Sequence, residues 1–221
     1  SDFGAGFVKD VGCLKKSYSK IETMKCLQSV NITTINKATS ASNVLDVVKA
    51  VLAGAHLLDV FLPFTPTSGT NNIHNFRVSS NLTFINNVPL LIGTNRNEGD
   101  TFIDAGLKSP LSKLEYNLVI DAIFGVSGKN TKVKSKYPPE EDSRGSFGSL
   151  LTDYWFRCAS QRVAGNVARF MKNNVSMYWY NHSISFGSKM WPKYHFPFCV
   201  NKVCHGAELP FVFHNSANWT L

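Results

Sequence analysis

The stretch Asn87 to Asn95, NVPLLIGTN, constrains the fold more than any other, because its apolar run does not alternate with polar residues and stops at Gly93 and Asn95. A strand with one wet face alternates. A strand covered on both faces does not, and that setting belongs to a parallel sheet flanked by helices. Further along, YWFRCASQRVAGNVARFMKNN spaces Phe156, Ala159, Val163, Val167 and Phe170 by threes and fours, which predicts an amphipathic helix ending near the Asn pair. VSMYWYNH follows it and reads as a strand. A helix leading into a strand, with an earlier apolar strand of the same kind, is the order of an α/β sheet.

The 221 residues, 43% of them hydrophobic, can supply a sizeable core. No stretch reaches the ~18 to 20 apolar residues needed to cross a bilayer, and the opening SDFGAGFVKD has neither a basic n-region nor an apolar h-region. No membrane span or leader is therefore expected within these residues. SASNVLDVVKAVLA predicts a helix capped by Ser42 or Asn43 with Val44, Leu45, Val48, Val51 and Leu52 on one face, followed by the loop LPFTPTSGTNNIHN.

With 23 Lys and Arg against 15 Asp and Glu the net charge is +8, which raises the question of a polyanion partner. The one dense basic run, Lys129 to Lys136 (KNTKVKSK), meets EED shortly afterwards and carries no interleaved aromatics for base stacking. It reads as a solvated loop, and nucleic acid is not the expected partner. The five cysteines, at 13, 26, 158, 199 and 204, form no CxxC pair and no zinc-spaced set with histidine, so neither a metal nor a cofactor is expected. Sequons at Asn31, Asn81, Asn174, Asn181 and Asn218, together with the cysteines, point to glycosylation in a secretory or lysosome-like compartment.

Two polar residues stand where sheet chemistry collects, outside the carboxyl ends of strands. Glu98 follows the first strand in LLIGTNRNEGDTF, and His205 lies in VCHGAELPFVF, after the second. A carboxylate accepting a hydrogen bond from an imidazole fixes its tautomer and stabilises imidazolium, which is the acid-base half of a hydrolytic triad. On spacing alone the ordinary readings stay open: a Glu before Gly as a turn residue, a His before Gly as a loop residue.

These segments resemble the type B carboxylesterase family, which includes the cholinesterases. LLIGTNRNEGDTF is similar to the family segment bearing the triad acid, with its Gly-x-Asn and Glu-Gly pairs. VSMYWYNHSISFGSKMWPKYHFPFCVNKVCHGAELPFVF is similar to the segment bearing the triad histidine, with its His-Gly-x-Glu core. GCLKKSYSKIETMKCL resembles the family's small disulfide loop, and LLTDYWFRCASQRVA a helix start carrying another cysteine. The resemblance implies an α/β-hydrolase fold of which only the C-terminal portion, the later strands and helices of a mostly parallel sheet, is present. It implies Glu98 as triad acid, His205 as general base and a structural Cys13–Cys26 disulfide. Cys199 and Cys204 are near enough in sequence to pair and steady the histidine. Cys158 is left over, either as partner of a cysteine beyond the histidine or as a free buried thiol. Glu208 is expected to make a structural ion pair or hydrogen bond, and His182 to be a partly exposed strand-end residue.

A triad also needs a nucleophile, normally on a G-x-S-x-G elbow. No such sequence occurs: GVSGK (Gly125 to Lys129) fails at its fifth position, RGSFGS has the wrong register, and the family's His-Gly-Gly oxyanion segment is absent. Residues 1–221 are therefore expected to be the C-terminal portion of one domain, completed by an N-terminal segment or partner chain that carries the serine. The expected function is that of a secreted carboxylic-ester hydrolase acting on a small ester, with this chain inactive by itself. The alternative is a non-catalytic adhesion, storage or assembly protein of the same family.

Overall fold

A computed structural model describes residues 2–39, 48, 88–171, 174–183 and 187–214. The helix expected over SASNVLDVVKAVLA, apart from Val48, and the loop after it lie outside the described residues. The chain begins with three short helices, α1 (Asp2–Asp10), α2 (Lys20–Ser29) and α3 (Ile32–Thr39). Ser19 starts α2 with a capping box: its hydroxyl accepts from the Glu22 N–H, and the Glu22 carboxylate accepts from the Ser19 N–H at 2.7 Å. A Cys13–Cys26 disulfide ties the turn after α1 to α2.

Two strands carry the site. Strands β1 (Leu90–Asn95) and β2 (Val175–Tyr180) pair in parallel, from Leu90 opposite Val175 to Asn95 opposite Tyr180. Parallel neighbours need a long crossover, and here it consists of α4 (Glu98–Gly106), α5 (Lys113–Phe124), α6 (Asn130–Lys136), α7 (Arg144–Leu151) and α8 (Cys158–Asn166). A π-helical stretch, Thr152–Arg157, joins α7 to α8, and a second, Val167–Met171, follows α8. Past β2 come α9 (Gly187–Lys193), a 3₁₀ turn at Pro197–Cys199, and the single-turn helix α10 (Leu209–Val212).

The main core lies within the crossover, where Ile103, Leu107, Leu111, Tyr116, Ile120, Phe147 and Leu151 are buried together. Each such side chain contributes about 1.5 to 3 kcal/mol by leaving water. Helix α4 reaches α7 closely because Gly99 and Gly148 have no side chains at the contact. The Gly99 N–H donates to Thr152 Oγ1 at 2.9 Å, and that hydroxyl donates to the Gly148 carbonyl at 2.9 Å. This contact sets the angle at which α4 leaves β1.

Three expectations need correcting. KNTKVKSK is not a loop: Asn130–Lys136 is helical, because Val133 packs on the core and Asp121 of α5 takes Asn130 Nδ2 at 2.6 Å and Lys134 Nζ at 2.7 Å. The predicted apolar face of the long helix fails at its end, where Phe170 is 57% exposed although Val167 is buried. A π turn takes more residues than an α turn, so spacings of three and four stop marking one face. In β1 the described residues leave Leu91 72% exposed, so they cover the strand on one face only at that position.

Candidate active site

Strand β1 ends at Asn95, and after two intervening residues the chain enters α4, whose first residue is Glu98. The turn aims the Glu98 carboxylate back over the strand end, where Oε1 accepts the Asn95 N–H at 2.7 Å. Its other oxygen, Oε2, lies 2.6 Å from His205 Nδ1. An ionised carboxylate only accepts, so Nδ1 carries the proton and donates. The carboxylate is buried and the imidazole is open: the Glu98 side chain is 7% exposed and that of His205 52%. The imidazole packs beside Phe102 and Phe156, with ring centroids at 5.4 and 5.3 Å. No hydrogen bond from another described residue is seen at Nε2, the nitrogen on the opposite side of the ring. The hydrogen bond to Glu98 raises the His205 pKa above its ordinary value, a pull that partial burial opposes.

The backbone approaching His205 is held one residue at a time against the end of β1 and the first turn of α4. Lys202 Nζ lies 2.8 Å from Asp100 Oδ2 and 3.8 Å from Asp104 Oδ2. The Val203 N–H donates to Asn97 Oδ1 at 3.1 Å, and its carbonyl accepts the Asn97 N–H at 2.9 Å. The Cys204 carbonyl accepts Asn95 Nδ2 at 3.0 Å, and the His205 N–H donates to Thr101 Oγ1 at 3.2 Å. A Cys199–Cys204 disulfide closes the loop from behind, with both cysteines fully buried. Gly206 then turns the chain away at φ 85°, a conformation that favours glycine.

The structure thus brings Glu98 and His205, 107 residues apart, into direct contact. Glu208 accepts a hydrogen bond from Asn95 Nδ2, and His182 is exposed just past β2. Cys158 is free and exposed, which corrects the buried-thiol account: it begins α8 on an outward face, lining a groove of about 450 Å³ with Phe124, Tyr137 and Tyr154. GVSGK is the turn after α5, and RGSFGS lies in and at the start of α7, so neither forms a strand-to-helix elbow. Of the sequons, Asn31, Asn174 and Asn181 are exposed, and Asn31 Oδ1 also accepts the Thr34 N–H at the start of α3. Asn81 and Asn218 lie outside the described residues. Among the described residues no group of three His, Cys, Asp or Glu is placed to hold a metal ion, and no helix is long and apolar enough to cross a membrane.

Sequence reasoning missed Thr101, Phe102, Phe156 and Lys202. Thr101 and Phe102 stand three and four residues after Glu98, one helical turn on, so a helix predicted to begin at Glu98 would have placed them beside the acid. No signal in the sequence joins Lys202 to Asp100.

A model of the carboxylesterase family matches residues 3–219. Two curated proteins of Dictyostelium discoideum are similar to the chain. One, called crystal protein, is 28% identical over 221 residues, covering 96% of this chain and 36% of that protein. The other, called cAMP-regulated D2 protein, is 26% identical over 217 residues, covering 95% and 36%. The chain therefore spans little more than a third of the length of these relatives. No solved structure matches it.

Proposed function

The chain belongs to the carboxylesterase family, and from that membership we propose that residues 1–221 form the C-terminal portion of an α/β-hydrolase domain, with Glu98 and His205 as acid and base of a Ser-Glu-His triad. One observation carries the reading: a buried carboxylate 2.6 Å from Nδ1 of an imidazole whose other side faces out. The nucleophilic serine comes from a segment or partner chain outside these residues, since no G-x-S-x-G is present.

In the complete protein His205 Nε2 takes the serine proton as Oγ attacks the ester carbonyl. The ring becomes imidazolium, stabilised by Glu98 through Nδ1–H. It then returns the proton to the leaving alcohol, and water repeats the cycle on the acyl-enzyme. The aromatic packing of Phe102 and Phe156 limits the rotation of the ring, which keeps Nε2 directed at one position. The disulfides and the exposed sequons at Asn31, Asn174 and Asn181 support a secreted glycoprotein.

The test is His205→Ala in the full-length protein. Turnover of small esters falls by about 10³-fold or more, as expected for loss of a triad member, while the fold is retained. A folded variant with undiminished turnover refutes the assignment. A second reading is a non-catalytic storage or assembly protein, favoured by the name crystal protein borne by one relative. A fluorophosphonate probe separates the two: label on a serine of the intact protein supports the hydrolase, and absence of label on folded protein supports the second reading.

A further inference from the structure

Lys202 lies three residues before His205, inside the loop closed by Cys199 and Cys204. Its ammonium group enters a cluster of three carboxylates, Asp100, Asp104 and Asp142, whose other cation is Arg144. Asp100 is 4% exposed, and a carboxylate so deeply placed needs a counter-charge. Lys202 is the cation in contact with it, at 2.8 Å. Arg144 is engaged elsewhere, by Asp142 at 2.7 Å and Asp104 at 3.5 Å.

Asp100 also lies beside Asn97, whose Nδ2 is 3.4 Å from Asp100 Oδ2, a long contact. The same Asn97 side chain holds the Val203 N–H through Oδ1. Without Lys202, the unpaired Asp100 carboxylate would draw Asn97 Nδ2 toward itself and turn Oδ1 away from Val203. The displacement would pass through Cys204 to the ring of His205.

Resting on the hydrolase reading above, we propose that Lys202 is a positioning residue for the general base. By neutralising Asp100 it keeps the Asn97–Asp100 contact long and Asn97 Oδ1 on the Val203 N–H, and so keeps Nδ1 on Glu98. The role belongs to the charge, so arginine serves in its place and methionine, which has a similar length and apolar stem, does not.

The test compares full-length protein carrying Lys202→Met, Lys202→Arg or no change, by ester turnover and by the labelling rate of a fluorophosphonate probe, which requires a serine activated by its histidine. Lys202→Met is expected to lower kcat and the labelling rate together by about tenfold, consistent with sub-ångström misplacement of a reacting group, with KM within about twofold. The thermal transition should remain cooperative, and Lys202→Arg should restore both rates. If folded Lys202→Met protein labels and turns over like the unaltered protein, or Lys202→Arg is as impaired as Lys202→Met, the positioning role is overturned and the hydrolase reading stands. If the unaltered protein takes no label, the hydrolase reading fails and the inference falls with it.

Discussion

At the scale of single residues, the hydrogen bond between Glu98 and His205 governs the pH response. It raises the pKa of His205 above the ordinary 6.5. On the proposed hydrolase reading His205 is a general base and works unprotonated, so the rise of kcat/KM with pH should be centred above 6.5 in the complete protein. Glu98→Gln removes the charge, so the His205 titration followed by its ring proton resonances should move down; an unmoved midpoint would deny the coupling. The same shift sets a stability window. A raised folded-state value means the interaction stabilises fully at pH below the ordinary histidine value and is lost as pH rises through the folded value. Glu98 and His205 were singled out by the family-like segments LLIGTNRNEGDTF and VCHGAELPFVF, whereas spacing alone left a turn carboxylate and a loop histidine open. Asn95 and Lys202 were not singled out, because an amide bonding Cys204 and an ammonium bonding Asp100 are contacts made across the fold and have no local signature.

Among elements, the contact between α4 and α7 positions Glu98. A methyl group at Gly99 would meet the Gly148 carbonyl oxygen and lie 2.8 Å from the Thr152 nitrogen, both backbone atoms that cannot swing aside. Alanine gains at most about 1 kcal/mol of helix propensity over glycine, whereas overpacking costs about 1 to 3 kcal/mol. Gly99→Ala should therefore lower the denaturation midpoint of the full-length protein, and an unchanged or raised midpoint would show that α4 can shift freely. Ser112 caps α5, its Oγ accepting the Glu115 N–H at 3.3 Å, and Ser112→Ala should cost about 1 kcal/mol in the same measurement. The strands and the long helix could be read from hydrophobic spacing. Helix α6 could not, because four lysines in eight residues look like solvent-facing chain until Asp121 and Asp153 are seen opposite them. The exposure of Phe170 was hidden for another reason: a π turn changes the period on which the reading depends.

Over the whole molecule, apolar surface stands open around the sheet. Val88, Leu91 and Trp179 are 57%, 72% and 51% exposed, and the described residues form a sheet of only two strands. Two strands are marginal by themselves, and unpaired edges invite association. The chain expressed alone should elute from a sizing column as associated species; a stable monomer would mark an independent domain and count against a partial one. The missing nucleophile elbow raised the expectation of a completing segment, while the location of the bare surface required three dimensions. The parallel register of β1 and β2 also determines when the dyad comes into being. Its carboxylate and imidazole emerge from the ribosome 107 residues apart, which at typical synthesis rates is an interval of about 5 to 20 s. Throughout that interval Glu98 has no histidine to orient, and the pair closes only once β2 has docked beside β1 and the loop after it has folded back. Formation of the Glu98–His205 contact therefore waits on closure of the whole crossover, and a probe of that contact doubles as a report that β2 has docked beside β1.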